Sequence, residues 1–450
     1  MNRVDIISAR SKVILAGLIA LVVLFSFFMF TGSGIVTGTD VATDLQKKAA
    51  ISEAYRKTVI EGSIVDSNNA EITRAEELGV PAKCYHNSYA YLVGYHDSVY
   101  GTMGLRGRYE KYLFMNGRDD RGATIRLTTL NDLQDYVYKT ISDINGSAVV
   151  LDAHTSRILA LASHNTTTFD LNDLRGRMGE YNQIDSFFYA YGFRDYEPPG
   201  STFKIVTAAA MLENDMESMV YTDTGTAEYD GVKIHNASDA VYGEVDMREA
   251  FCNSVNTYFA TAAVKLGKGA LEDKASDFMI GESIPLDFTT LNSNFDLGIG
   301  TRSELAQAGF GQGNTQVTPL HIAMIVQSVA NDGVMMKPYL VDEVTLNDTA
   351  LLKGRKQRLC TPIKKATAKK LTDIMQYTAR EEYGFDPAEF GSIGAKTGTA
   401  ELANGKYHAY FASFSDDYVV VISENNTSKH GSSLKERAKD IYRYLEQEMQ

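Results

Sequence analysis

Between Val13 and Phe30 the chain reads VILAGLIALVVLFSFFMF, 18 residues without a charge. As a helix this stretch is long enough to cross a hydrocarbon core of about 30 Å with slight bilayer thinning. A soluble helix of the same length would carry a polar face, so the stretch reads as a transmembrane anchor. Arg3, Arg10 and Lys12 precede it, and Asp40 and Asp44 follow. The positive-inside bias therefore places the first dozen residues in the cytoplasm and the rest of the chain outside. A cleaved signal peptide is the competing reading, because Gly32, Ser33 and Gly34 are small. A cleavable apolar region usually runs to only about 7 to 15 residues, however, and no Ala-x-Ala site follows. The expectation is an uncleaved single-pass membrane anchor over residues 1–31.

The 450 residues exceed a typical domain of about 100 to 200. With 44 Lys and Arg against 57 Asp and Glu, the net charge is −13. That balance opposes binding to a phosphate backbone, so nucleic acid is not an expected partner. Cys84, Cys252 and Cys360 lie far apart with no Cys-x-x-Cys spacing, which encodes neither a disulfide framework nor a zinc site. The eight His form no i, i+4 metal pair, and no phosphate-loop motif occurs. Neither a metal nor a nucleotide cofactor is expected.

Beyond the anchor, Asp40 to Tyr55 places Leu45, Ala49 and Ile51 at near-helical spacing, and Thr58 to Thr73 reads as two short strands around Ser67-Asn68-Asn69. Residues 80–145 are rich in Tyr and Gly and show no repeat and no clear periodicity. Residues 32–145 are taken as one small domain. At Gly146 the pattern sharpens: Ala148 to Leu151 and Ile158 to Ala162 are apolar runs flanking a turn, as in a buried hairpin. Thr318 as N-cap, Pro319 at the first helical position, Ile322, Ile325, Val326 and Val329 on one face, and Gly333 beyond the end mark a core helix. Tyr418 to Ser423 reads as a central strand. Leu434, Ala438, Ile441 and Leu445 form the stripe of an amphipathic helix suited to pack on that sheet.

The chemistry concentrates in three places. Pro198, Pro199 and Gly200 cannot sit inside a helix, so the good helix formers after them place Ser201 at a helix start. Lys204 lies about one turn on, its amine within reach of the Ser201 hydroxyl, and the positive helix end favours a developing alkoxide. Ser-x-x-Lys alone is a weak signal. A second copy, Ser432 to Lys435, opens the terminal helix and reads more simply as a helix start with a solvated lysine. Ser254-Val255-Asn256 and Lys396-Thr397-Gly398 then follow downstream. Each by itself is a helix junction or a strand end, and Ser67-Asn68-Asn69 is such a triplet in a plain turn. The three together, in this order, are specific.

Their order and spacing resemble the active-site serine penicillin-recognising enzymes, whose motifs are Ser-x-x-Lys, Ser-Asp-Asn and Lys-Thr-Gly. Val255 stands in the middle of the second motif, where many penicillin-binding proteins tolerate it. GSAVVLDAHTSRILALAS, EPPGSTFKIVTAA, GFGQGNTQVTPLHIA and GAKTGTAEL look like the transpeptidase domain of class B penicillin-binding proteins, from Gly146 to the end of the chain. Upstream, EGSIVDSNNAEIT faintly resembles the hairpin that opens the family's pedestal, with Glu61 where an Arg is usual.

The resemblance implies an α+β fold, an antiparallel sheet flanked by helices: a transpeptidase domain over residues 146–450 above a small N-terminal pedestal over 32–145. It implies acyl transfer on peptidoglycan stem peptides and acylation by β-lactams. Ser201 attacks the carbonyl of the penultimate D-alanine, and Lys204 takes its proton, burial and the nearby Lys396 charge disfavouring its ammonium form. Asn256 donates to the substrate backbone and accepts from Lys204, while Ser254 bridges toward Lys396. Gly398 lets an extended peptide approach closely, and period two turns Thr397 and Thr399 to one face, where hydroxyls can hold a terminal carboxylate. The family places the oxyanion hole on the backbone N–H groups of Ser201 and Thr399.

A serine β-lactamase needs a deacylating base, and neither the Glu-x-x-Leu-Asn of one class nor the tryptophan of another is present; the chain has no Trp. A D,D-carboxypeptidase, with water in place of the amine, stays open on these residues. A β-lactam sensor lacks its His-Glu-x-x-His protease here, and a catalytically dead wall scaffold is disfavoured by the intact motifs. The residues upstream of the catalytic domain are too few for an anchor and a glycosyltransferase, so the resemblance points to a polytopic membrane glycosyltransferase as partner.

Overall fold

The apolar runs around Val149, Leu161 and Val421 are the most strand-like parts of the chain. In the computed structural model, which describes residues 56–448, they are neighbours in one antiparallel sheet. Its five strands are β1 (Gly146–Asp152), β2 (Ile158–His164), β3 (Gly394–Glu401), β4 (Tyr407–Phe414) and β5 (Tyr418–Thr427). They lie in the order β3-β4-β5-β1-β2, which puts the Tyr418 to Ser423 run in the centre and leaves β3 with a free edge. Five helices build the core and the surroundings of that edge: α1 (Lys204–Glu213), α2 (Asn256–Asp277), α3 (Pro319–Ala330), α4 (Lys365–Glu381) and α5 (Lys435–Glu448).

Alternate residues of a strand face opposite sides, and here both sides are covered. Val149, Leu151, Tyr410, Ala412, Val419 and Val421 share one core with Ile322, Ile325, Val326 and Val329 of α3. Ala148, Val150, Phe411, Val420 and Ile422 form the other with Leu434, Ala438, Ile441 and Leu445, the stripe read from the sequence. Burial on both faces is why these strands read as continuous apolar runs rather than alternating ones. The N-cap of α3 is as expected: the Thr318 hydroxyl accepts the His321 N–H at 3.1 Å, with Pro319 in the first turn.

Residues Val59–Gln450 form one compact unit. Within it a second sheet takes four strands from before residue 146, Ile64–Val65, Glu71–Arg74, Lys83–Cys84 and Thr124–Leu127, and two from much later, Val341–Leu346 and Thr349–Lys353. The expected hairpin around Ser67-Asn68-Asn69 is present, with Asn69 left-handed at φ 65° and Asp66 Oδ1 accepting the Asn68 and Ala70 N–H groups. Glu61 is buried and paired through both carboxylate oxygens with Arg106. The helix Asn131–Thr140 is a departure from the sequence reading, which found no periodicity there. Leu133, Val137 and Ile141 do form an i, i+4, i+8 stripe on the second core, but Tyr136 and Tyr138 between them blur it.

The apolar stretch Val13 to Phe30 and the near-helical segment Asp40 to Tyr55 lie outside the described residues. Among the described residues no helix is long and apolar enough to cross a membrane.

Candidate active site

The segment before Ser201 cannot be regular, and the structure uses that. Glu197 joins Val317 through both backbone groups, at 3.3 and 2.9 Å, and its carboxylate lies 2.7 Å from His408 Nε2 on β4. Asn425 of β5 donates to Asp195 at 3.2 Å and to Glu197 at 3.4 Å. Burial, and then the charge of Glu197, raises the Asp195 carboxyl to about 7. Gly200 follows at φ +53°, donating its N–H to the Gly311 carbonyl at 3.0 Å. A Cβ at Gly200 would stand 2.7 Å from the Thr399 carbonyl oxygen. Gly200→Ala is therefore expected to cost about 1 to 2 kcal/mol for the left-handed backbone alone, with the clash in addition. The check is a lowered melting temperature.

From Gly200 to Phe203 the chain makes a 3₁₀ turn that runs directly into α1. In a 3₁₀ turn residues i and i+3 eclipse, so Ser201 and Lys204 stack on one side. Ser201 is half-buried and Lys204 fully buried. Phe203 anchors the turn by stacking on Phe295, ring centroids 5.3 Å apart.

Lys204 Nζ does not stand alone under the turn. It lies 2.7 Å from the Ser254 carbonyl, 2.8 Å from Asn256 Oδ1 and 3.0 Å from Ser254 Oγ. Burial first, and then the Lys396 charge, holds its ammonium form well below the ordinary lysine range. A neutral amine has two N–H groups, which the Ser254 carbonyl and Asn256 Oδ1 accept, and a lone pair left to take a proton. Ser254 is held at φ 55°, a left-handed conformation of the kind that collects at functional sites and costs on the order of 1 to 3 kcal/mol. Val255 is fully buried, so the outer two residues of the motif face the site. The Asn256 amide N–H donates to the His235 carbonyl at 2.9 Å, while Asn236 Oδ1 accepts the Thr257 N–H at 3.2 Å. Asp223 braces both, accepting from Asn236 at 2.9 Å and from the Thr257 hydroxyl at 2.6 Å.

The third locus arrives on the free edge strand. Lys396 Nζ reaches Ser254 Oγ at 3.0 Å, so one hydroxyl sits between two lysine amines. Burial pulls Lys396 down to about 7, against upward pulls from Cys252 and Glu382. Phe259 and Phe251 wall the two amines, at 5.4 and 5.6 Å from the ring centroids, and supply the low-dielectric surroundings. Gly398 packs against the segment of the nucleophile, its missing Cβ only 2.5 Å from the Pro199 carbonyl oxygen. Thr397 and Thr399 are half-buried on one face of β3, as period two requires. Thr399 Oγ1 accepts the Gly431 N–H at 3.0 Å, and Thr397 Oγ1 lies 2.9 Å from the Tyr383 hydroxyl.

Of the residues singled out from the sequence, Lys204, Ser254, Asn256 and Lys396 form one hydrogen-bonded cluster, Thr397 follows Lys396 on the strand, and Gly398 and Thr399 lie against Pro199 and Gly200, which lead into Ser201. The other Ser-x-x-Lys copy does not join them as a reacting group; Ser432 is exposed in the turn Gly431–Leu434 that leads into α5. Cys252 is packed, and burial pushes its thiol up rather than toward thiolate. Tyr383, His235, Asn236 and Asp223 were not read from the sequence. Asp223 and Asn236 lie in a turn-rich stretch that gives no periodic signal, and Tyr383 lies just past the end of α4.

The chain is similar to known proteins in sequence and fold. Residues 146–443 match the family model described as the penicillin binding protein transpeptidase domain. Peptidoglycan D,D-transpeptidase PbpA of Mycolicibacterium smegmatis is 26% identical over 367 residues, covering 73% of this chain and 74% of that protein. Among solved structures, the D,D-transpeptidase domain of a peptidoglycan glycosyltransferase from Eggerthella lenta superposes with a TM-score of 0.79 at 27% identity. The match covers 87% of this chain and all of that one. Penicillin-binding protein A from M. tuberculosis, solved as a ceftriaxone acyl-enzyme complex, gives a TM-score of 0.79 at 22% identity over 86% of this chain and 98% of that one.

Proposed function

This chain belongs to the penicillin-binding protein transpeptidase family, and from that premise we propose that it is a class B penicillin-binding protein, a serine peptidoglycan D,D-transpeptidase. The observation that carries the reading is the Ser254 hydroxyl held at 3.0 Å from each of two buried lysine amines, beneath the turn that bears Ser201.

Each group has a role in the reaction. Ser201 Oγ attacks the carbonyl carbon of the penultimate D-alanine of a stem peptide, and its proton passes to the lone pair of Lys204. The N–H groups of Ser201 and Thr399 take the oxyanion; each such donor is worth about 3 to 4 kcal/mol in other enzymes. The C–N bond to the last D-alanine breaks, and the leaving amine takes a proton through Ser254, which Lys204 and Lys396 both contact. Lys396 and the hydroxyls of Thr397 and Thr399 hold the terminal carboxylate, and Gly398 admits the donor backbone. An amine from a neighbouring stem then attacks the acyl-enzyme, forming the crosslink and freeing Ser201. β-Lactams enter by the same attack and remain as the acyl-enzyme.

A D,D-carboxypeptidase is the second reading, since water in place of the amine uses the same groups. Incubation with two stem peptides, one ending in D-alanyl-D-alanine and one bearing the acceptor amine, separates them. The expected result is a crosslinked product with one D-alanine released per bond; release of D-alanine with no crosslinked product would leave a carboxypeptidase.

The setting is part of the proposal. Residues 1–31 supply a cytoplasmic tail and one membrane span, 32–145 a pedestal, and 146–450 an extracytoplasmic catalytic domain. The apolar stretch from Val13 to Phe30 and the basic residues before it support this. The resemblance to class B penicillin-binding proteins supports a polytopic membrane glycosyltransferase as the partner we assign.

A further inference from the structure

We propose that Tyr383 determines specificity by closing the free edge of β3 at Thr397, so that the site takes acyl donors ending in a free carboxylate one residue past the scissile bond. The inference rests on the transpeptidase reading above.

The Thr397 N–H points away from β4 and donates to the Tyr383 hydroxyl at 3.0 Å. In an antiparallel ladder alternate residues face the partner strand, so Thr397 and Thr399 both turn their backbone groups to the free edge. At Thr397 both groups are taken: the N–H by Tyr383, and the carbonyl by Lys396 Nζ at 3.3 Å. At Thr399 the outward N–H is the one assigned to the oxyanion. The two N–H groups are two residues apart, about 6.8 Å along a strand. A donor with its scissile carbonyl at Thr399 advances about 3.4 Å per residue, so its leaving residue ends short of Thr397. A second leaving-side residue would arrive where its carbonyl needs the Thr397 N–H, and a phenol already holds that donor.

Tyr383 is built to stay. It is buried, follows α4 directly, and meets Phe411 of β4 edge to face, with centroids 5.3 Å apart. Burial holds its ionisation above the ordinary phenol range, so it keeps its proton. Having accepted from the Thr397 N–H, the phenol can give that proton to Thr397 Oγ1 at 2.9 Å, which frees the threonine proton to point outward. Thr399 Oγ1, accepting from Gly431, likewise keeps its proton. Two hydroxyl donors then converge where a carboxylate ends the chain.

The test compares two acyl donors, a peptide ending in D-alanyl-D-alanine and the same peptide extended by one glycine. Acylation releases D-alanine from the first and D-alanyl-glycine from the second. Wild type is expected to favour the shorter donor strongly. Tyr383→Phe keeps the ring on Phe411 and removes the hydroxyl. The expected result is a fall of about 10-fold in kcat/KM for the shorter donor, carried mainly by KM, and a gain for the longer one. Tyr383→Ala opens the slot further and is expected to reduce the preference more. Labelling by a fluorescent penicillin shows that the nucleophile is still assembled; should the alanine variant fail to label, the phenylalanine variant decides. An unchanged preference in a labelled Tyr383→Phe protein overturns this proposal alone. A wild type that takes neither donor nor penicillin overturns the transpeptidase reading and this proposal with it.

Discussion

Ser201→Ala is expected to abolish covalent labelling by a fluorescent penicillin, with acylation falling on the order of 10⁶-fold, as when a nucleophile is removed from other serine acyl-transfer enzymes. Acylation needs a nucleophilic oxygen, and the 3₁₀ turn Gly200–Phe203 presents that of Ser201 where it runs into the helix that starts at the buried Lys204. The fold should not suffer. Ser201 is only half-buried, and substitutions at such positions away from packed features usually stay within about 0.5 kcal/mol. Intact mass spectrometry after penicillin treatment, with a melting curve beside it, separates lost chemistry from lost structure. An adduct retained at full rate by the variant would move the nucleophile elsewhere, with Ser254 and the exposed Ser432 as the next hydroxyls to test.

The legibility of this site in the sequence has a physical division. Ser201, Lys204, Asn256 and Lys396 are visible because acyl transfer demands those side chains, and because Pro198-Pro199-Gly200 forces a helix start at the required place. The core strands are visible because burial on both faces leaves unbroken apolar runs such as Tyr418 to Ser423. Contacts that depend on distant segments are not visible. Tyr383 reaches an edge amide on β3 only because α4 ends beside that strand. Asp223 and Asn236 brace Thr257, the residue after Asn256, across a turn-rich stretch whose composition says only loop. The late strands Val341–Leu346 and Thr349–Lys353 extend a sheet begun before residue 146, and nothing local in either segment encodes the pairing. The left-handed backbone of Ser254 is equally silent, since a serine in a polar triplet does not announce its φ.

Lys204→Met should separate the base from its burial. Methionine has nearly the length of lysine but neither lone pair nor charge, so acylation by penicillin or by a stem peptide is expected to fall by about 10² to 10⁴-fold, the usual contribution of general base catalysis. The pH dependence of stability should change as well. In the folded chain burial and Lys396 hold the Lys204 ammonium form well below its ordinary value of 10.5, so at neutral pH the folded state has released a proton that the unfolded state keeps. At this site the unfolded state binds more protons, so Lys204 contributes stability that grows as pH rises toward 10.5, by up to about 1.4 kcal/mol per unit for each such lysine. Lys396 contributes the same sign from about 7 upward. Lys204→Met removes one of the two slopes and leaves the other. Its absolute stability mixes the relieved burial of an amine with the loss of donors to the Ser254 carbonyl and Asn256, about 1 to 3 kcal/mol for acceptors left without partners. The slope is free of that mixture. Denaturant melts between about pH 6 and 9 should show a variant line shallower than wild type, the difference being at most one proton. Parallel lines would mean that Lys204 is charged in the folded protein and cannot be the base. The difference in slope also says why the site tolerates so destabilising a residue: the free energy withheld from folding by neutralising a buried amine is the same quantity that makes its lone pair available to Ser201 at neutral pH.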